Sequence, residues 1–347
     1  MQSCDIEHVE RDVPKKFYRR IDFWLGLIVS VACICWVLSQ IDFVEFKGYI
    51  VSAERKYIAC AFIVCSLGYV MRSYRWNFFF EQKQMTLFTS YKCLIVGFFM
   101  NNTLPARMGE LVRARAGSLA TGQSNMSVLA TIASERLADA ITISLYFVIL
   151  FGYFAKPEYL EGNENIYYVV YFFAAVAVCT IITLRLRHFI YDLLERINKK
   201  LNLKFMSYIL QRVKAFIVGL EPLFMWRRIL PATVLSLAIW GIEIGMYYYV
   251  MLAFGMDLGI SGLVLAMTVV NFVSLIPAAP GGVGVIEAFT TAALVSIGVE
   301  PTSALAMIAT HHVLQIVAVG IPGGYYFFSV MKKRDLQKTD RLTNKNP

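Results

Sequence analysis

Charge is scarce in this sequence. Asp, Glu, Lys and Arg make up 16% of its 347 residues, where soluble domains carry ~25%. Apolar side chains fill the deficit, at 58% of the total, which excludes an ordinary water-soluble globule. Several chemical signatures are missing as well. No GxxxxGK(S/T) stretch occurs, so ATP does not drive this chain through a P-loop of its own. Neither HExxH nor DxD occurs, which removes a zincin-type hydrolase and a DxD-type glycosyltransferase. The seven cysteines (Cys4, Cys33, Cys35, Cys60, Cys65, Cys93 and Cys179) form no CxxC pair, and six lie in or beside apolar segments. They read as small buried hydrophobes, and no metal or cofactor is expected. No small-residue cleavage site follows the first apolar run, so that run reads as a retained helix.

What the sequence does contain is a series of apolar runs, each of at least ~18 residues and long enough to cross a bilayer. They predict an all-α polytopic membrane protein. The net charge of +9 does not point to nucleic acid, because the basic residues cluster at the ends of apolar segments, where membrane orientation accounts for them. Arg11, Lys15, Lys16, Arg19 and Arg20 precede the first span, at about 21–40, and place the N-terminus inside. A charge-balanced loop with Asp42, Glu45, Lys47, Glu54, Arg55 and Lys56 follows. The second span, about 57–76, ends at Arg72, Arg75 and Lys83, again inside. The 155–165 loop carries Glu158, Glu161 and Glu164 and reads as outside, while the basic amphipathic segment at 185–228 reads as lying on the cytoplasmic membrane surface. Lys332, Lys333, Arg334, Lys338, Arg341 and Lys345 place the C-terminal tail inside.

These sides constrain the crossings. Residues 86–122 must leave and return on the inside, with a break at NNTLPARMGE, and 261–299 must leave and return on the outside, with a break at PAAPGGVGVIE. The count is about six full transmembrane helices plus two re-entrant broken-helix hairpins entering from opposite sides. Irregular backbone at membrane depth is tolerated only where protein buries it or water reaches it, so two facing breaks imply a shared polar cavity. The halves also match in sequence. Pro105, Gly109 and Glu110 correspond to Pro280, Gly284 and Glu287, and SVLATIAS at 127–134 corresponds to SALAMIAT at 303–310, all at offsets of 175–177. An inverted repeat of this kind is a mark of secondary transporters. The resulting plan is a cytoplasmic tail at 1–20, one integral membrane domain at 21–331 and a basic cytoplasmic tail at 332–347. Within the domain the first repeat is at about 57–154, a cytoplasmic amphipathic segment at about 187–226, and the second repeat at about 229–331.

Charged groups inside apolar helices are costly and face an interior or a cavity. Glu135, Asp139, Glu243, Glu287, His311 and His312 are the candidate coupling or polar-cavity groups. Arg136 and Asp139 are three apart and share a helix face. Glu243, in IWGIEIGMYYY, needs a partner from another helix or a proton. Gly281, Gly282 and Gly284, opening a helix at about Val283, present backbone N–H groups that suit an anion. Arg107, Glu110, Arg113, Arg136 and these glycines are the candidate lipid-headgroup contacts, with Arg115 adding positive charge near the first break. Pro105, Gly109, Pro277 and Pro280 mark the helix breaks. Glu287, beside the second break, is the candidate proton-coupling group.

Four motifs in order, YVMRSYRW (69–76), NNTLPARMGELVRA (101–114), SERLAD (134–139) and PGGVGVIEA (280–288), resemble the transmembrane region of lysylphosphatidylglycerol synthases and its stand-alone flippase-like relatives, over roughly residues 20–330. The resemblance implies movement of a phospholipid or polyprenyl-linked lipid between leaflets of the cell (inner) membrane. It points to Arg107, Glu110, Arg136, Asp139, Pro280, Gly281, Gly282 and Glu287. A soluble aminoacyl-transferase domain is absent from these 347 residues, so lipid handling rather than lipid synthesis is implied. The competing readings are an integral-membrane enzyme acting on a lipid phosphate and an accessory subunit of a lipid or glycan biosynthesis enzyme. A homodimer is a further partner expectation. Topology is directly testable. Single cysteines at Leu160 and Lys200 in a Cys-less background should differ in labelling by an impermeant reagent in intact cells, with only the first reacting. Equal labelling breaks the crossing count and the inverted repeat with it.

Overall fold

The computed structural model describes residues 21–80, 85–104, 108–154, scattered positions between 171 and 220, 224–276 and 278–343. Among them every regular element is helical. Helix α1 (Ile21–Leu38) is followed by α2 (Phe43–Ser52), α3 (Arg55–Trp76), α4 (Leu87–Thr103), α5 (Gly109–Thr121) and α6 (Asn125–Tyr146). A π turn at Phe147–Phe151 extends α6 to Phe154. After the scattered positions come α7 (Trp226–Ala253), α8 (Gly259–Val273), a short 3-10 turn at Pro280–Gly282, α9 (Val285–Val295) and α10 (Pro301–Thr343). The acidic loop at 155–165, the residues Pro105, Arg107 and Pro277, and most of the amphipathic segment lie outside the described residues.

Among the described residues three helical stretches are long and apolar enough to cross a membrane: Arg55–Phe79, Trp226–Ala253 and Pro301–Ser329. A fourth span results if α1 and α2 count as one broken span, bent by 90°. Helix α6 fails that criterion because it carries Glu135, Arg136 and Asp139 within one turn and a half. Helix α2 corrects the reading of 42–56 as a loop. Asp42 ends the first span and caps the next helix, its carboxylate accepting from the N–H groups of Val44 and Glu45. Phe43, Val44 and Val51 of α2 are exposed.

Local sequence explains the other ends. Thr86 caps α4 and Ser124 caps α6 through their hydroxyls. Gly122, at φ 76°, closes α5 in the left-handed conformation that L side chains resist. The Glu300 carboxylate accepts from the N–H groups of Thr302 and Ser303 and starts α10. Helix α9 opens at Val285, two residues later than expected from the glycines, because Gly281, Gly282 and Gly284 all have positive φ and delay regular helix.

Two helical hairpins meet in the middle of the molecule. In the first, α4 and α5 approach so closely that a Cβ on Gly109 would lie 2.0 Å from the Gly97 carbonyl oxygen. In the second, the 280–282 turn joins α8 to α9 and packs on α4, with Gly281 against the backbone of Asn102. Helix α1 braces this second break. The Ser30 hydroxyl accepts from Ala279 N–H at 2.8 Å, and Gly284 sits against the Ser30 carbonyl. One apolar core, with Trp240, Tyr247, Val264 and Ile308, joins α7, α8 and α10; another, with Trp76, Val96, Val112 and Ile132, joins α3 to α4, α5 and α6. Ile63, Val234 and Ile321 point outward and are more than half exposed, as a lipid-facing surface requires. The close α4–α5 contact generates a stability prediction. Gly109→Ala should lower the thermal midpoint in detergent by an amount equivalent to about 1–3 kcal/mol, whereas Gly122→Asn, at an open left-handed position, should change it little.

Candidate functional site

The charged side chains assemble in layers from five helices. Near its end, α3 turns Arg72 and Arg75 inward. Arg75 is fully buried and bridges two acids of α6, Asp139 at 2.6 Å and Glu135 at 3.2 Å, while also donating to the Ser236 hydroxyl of α7. Glu135 uses its other oxygen for Arg113 of α5, at 2.6 Å. Arg113 in turn lies over the Trp76 ring, 4.0 Å from its centre, and Trp76 donates to the Thr131 hydroxyl. On the other side, Asp139 Oδ1 also accepts from the Trp240 indole at 2.9 Å. Arg72 stacks over Trp240 and pairs with Glu243 of α7 at 3.2 Å. Gln315 of α10 donates to the second Glu243 oxygen at 2.6 Å. Buried charges persist only when paired and hydrogen-bonded in this way.

Above this layer lies a cavity of about 490 Å³. Arg72, Glu110, Arg136, Asp139, Glu243 and His312 supply its charged or titratable wall, and Asn101, Asn102, Asn271 and Gln315 its amides. Arg136 is the loosely held cation. Its guanidinium is 3.5 Å from Glu110 and 3.9 Å from Asp139 Oδ2, with the side chain one-third exposed. The contact to Glu110 is through Arg136 Nε, and Asp139 Oδ2 has no hydrogen-bond partner. The rest of the Arg136 guanidinium and Asp139 Oδ2 can therefore serve a ligand without dismantling the buried layer.

The second hairpin contributes a different pair. Glu287, in the first turn of α9, accepts from the Gly284 N–H at 2.6 Å and meets His312 Nδ1 at 2.6 Å. His312 Nε2 faces the Gly281 carbonyl at 3.0 Å. Both ring nitrogens thus face acceptors, so Nε2 donates to the carbonyl and a proton lies between Nδ1 and the Glu287 carboxylate. His311 is fully buried behind this pair, stacked on Tyr247 and 3.8 Å from Glu243, with neither ring nitrogen hydrogen-bonded.

Of the residues singled out from sequence, Glu110, Arg136, Asp139, Glu243, Gly281 and His312 line one cavity. Arg113 and Glu135 do not; they are buried beneath it against each other. The Gly284 N–H is taken by the protein's own carboxylate rather than left open for an anion, and Gly282 packs toward Ile286. Glu243 finds the interhelical partner it needed, in Arg72. The sequence reading missed Arg72 and Arg75 as network members, taking them as inside markers at the end of a span. Their spacing of three inside YVMRSYRW, which turns both to one helix face, is the signal that could have found them. Among the described residues no group of three His, Cys, Asp or Glu side chains could hold a metal ion.

The family model for the lysylphosphatidylglycerol synthase TM region matches residues 23–323. Over 335 residues the chain is 21% identical to a UPF0104 membrane protein of Pyrococcus horikoshii, covering 90% of this chain and 98% of that protein. A UPF0104 membrane protein of Methanothermobacter thermautotrophicus is 21% identical over 329 residues, covering 90% and 97%. The glycosyltransferase AglD of Haloferax volcanii is 24% identical over 346 residues, covering 90% of this chain but 55% of AglD. No solved structure matches.

The layered arrangement makes the arginines unequal. Arg75→Gln leaves two buried carboxylates short of a cation and should destabilise the protein by about 3–5 kcal/mol. Arg136→Gln should cost only about 0–1 kcal/mol, as for a partly exposed pair. Denaturant or thermal unfolding in detergent checks both, and equal losses would contradict the layering.

Proposed function

Because the chain belongs to the family of the lysylphosphatidylglycerol synthase TM region, we propose that it binds the headgroup of a phospholipid or polyprenyl-linked glycolipid in this cavity and passes it between leaflets. One observation carries the reading: a cavity of about 490 Å³, walled by charges and amides, sits where two hairpins meet inside otherwise apolar helices. A lipid translocator needs such a polar path for the headgroup while the acyl or prenyl chains stay outside. Translocation in this reading is downhill, and the Glu287–His312 pair is the point where a proton gradient can bias it. Arg136, Glu110, Asp139 and Gly281 are the headgroup contacts.

The reading includes a membrane plan of six full spans and two re-entrant hairpins in an inverted repeat. Both termini and the 187–226 segment lie on the cytoplasmic side of the cell membrane. Matched ion pairs support the repeat. Glu110 meets Arg136 in the first half and Glu287 meets His312 in the second. In both, the carboxylate is in the first turn after a hairpin break and the cation is on the following helix. A homodimer, or a complex with a lipid or glycan biosynthesis enzyme, is compatible with this plan.

A second reading, an integral-membrane enzyme acting on a lipid phosphate, is favoured by the 2.6 Å contact between Glu287 and His312 at the cavity edge, since such a pair can move a proton. One experiment separates the two. Purified protein in liposomes should expose inner-leaflet fluorescent phospholipid to an external quencher without changing the lipid's mass. Arg136→Gln should slow this about tenfold, the effect of losing one charge-assisted hydrogen bond. An altered lipid mass supports the enzyme, and neither movement nor mass change removes both readings.

A further inference from the structure

Charge balance around the cavity constrains the headgroup it accepts. Among the described residues, four arginines (Arg72, Arg75, Arg113 and Arg136) face four carboxylates (Glu110, Glu135, Asp139 and Glu243), each within an ion pair. With both His312 ring nitrogens facing acceptors, two protons lie on or between that ring and the Glu287 carboxylate, so the pair adds no net charge. A ligand of either net charge would therefore bring an uncompensated charge into a low-dielectric interior, where such charges are expensive.

Neutral overall, the wall is nevertheless polar at one point. Asp139 Oδ2 lacks a hydrogen-bond partner, Arg136 is held only by contacts of 3.5 Å to Glu110 through Nε and 3.9 Å to Oδ2 through Nη1, and the two side chains sit side by side on the cavity. One is a cationic donor and the other an anionic acceptor. Oδ2 is the spare oxygen of a carboxylate whose Oδ1 is already saturated by Arg75 and Trp240. Asp139 is 4% exposed, so a cationic group bound to it meets little competition from bulk water. Tyr69 and Phe272, ring types that attract ammonium groups, line the same space.

We propose that the cavity selects a net-neutral, zwitterionic lipid headgroup, its phosphate taken by Arg136 and its single ammonium group by Asp139. This rests on the lipid-binding reading above and narrows it. A phosphate without an ammonium leaves Asp139 Oδ2 unmatched and carries net negative charge. A lysylated phosphatidylglycerol headgroup, with two ammonium groups and one phosphate, carries net positive charge and fits the balanced wall less well. A hydroxyl-only headgroup matches the hydrogen bonds but not the charges. Moving a neutral headgroup also transfers no net charge across the membrane.

The test is competitive retention. Protein extracted gently and exchanged into nanodiscs with equal dioleoyl phosphatidylethanolamine, dioleoyl phosphatidylglycerol and monoglucosyl diacylglycerol is analysed by native mass spectrometry. Phosphatidylethanolamine should be enriched about fivefold or more over each of the others, the ratio that one modest charge interaction supplies. Glu110→Gln gives the wall one positive charge and should move retention toward phosphatidylglycerol. Arg136→Gln gives it one negative charge and should lower retention of both phospholipids relative to the wild type. A second measurement needs no variant: glycerophosphoethanolamine, a net-neutral phosphodiester, should raise the Tm of the wild-type protein in detergent at concentrations where glycerophosphoglycerol and ethanolamine do not. Equal retention of the three lipids, preference for phosphatidylglycerol, or a folded Glu110→Gln protein with unchanged retention would overturn the proposal. Leaflet exchange of the same lipids in liposomes keeps the two claims apart. Exchange without headgroup preference removes this inference and leaves translocation standing; preference without exchange does the reverse.

Discussion

Everything in this molecule is arranged around the Arg75 guanidinium. It is wholly buried, yet it touches α6 twice through Glu135 and Asp139 and α7 once through Ser236. Through Glu135 it reaches Arg113 on α5, and through Asp139 it reaches Trp240 on α7. An apolar core tolerates small slips between helices. A buried cation with named partners on several helices does not, because each slip strands a charge in low dielectric. The network sets how α3, α5, α6 and α7 sit relative to one another. It also sets which charges remain over: those of Arg136, Glu110 and Asp139 Oδ2, at the cavity.

Close backbone contact completes what the charges start. Gly97 and Gly109 let α4 and α5 touch, and Gly323 lets α10 settle against Phe99 of α4. Within a bilayer, where lipid tails compete as equals for apolar side chains, such small-residue contacts are a main source of helix association. They bring Asn101 and Asn102, near the end of α4, opposite the 280–282 turn. The amide-rich wall of the cavity therefore depends on glycines some distance along the helices.

Much of this was legible in the sequence, and the parts that were not share a cause. The long apolar runs announced helices, and α3 and α7 lie close to their expected limits, because nothing in those runs competes with helix; α10 begins where expected but runs on to Thr343, into the basic tail. The breaks after Asn102 and at Pro280 were visible because proline and glycine act locally. Helix α2 was missed: a charge-balanced stretch resembles a loop until Asp42 is seen to cap it. The role of Arg75 was missed because a charge near the end of a span looks like an interface marker unless its partners, 60 and 64 residues away, are known. Arg113, expected as a ligand contact, lies between Trp76 and Glu135, beneath the cavity. Pairing across helices is tertiary information, and periodicity carries none of it. One expected contact, Arg107, and two expected helix breaks, Pro105 and Pro277, fall outside the described residues.

The Glu287 carboxylate has a consequence for what its own helix start can bind. It occupies the start of its own helix, bound to the Gly284 N–H and to His312, and so stands in for the anion that this N-terminus would otherwise attract from water. Chloride and inorganic phosphate find that position already filled by a tethered group that cannot leave. The helix start is thus neutralised by a side chain of the chain itself, and no ion need be borrowed from solution.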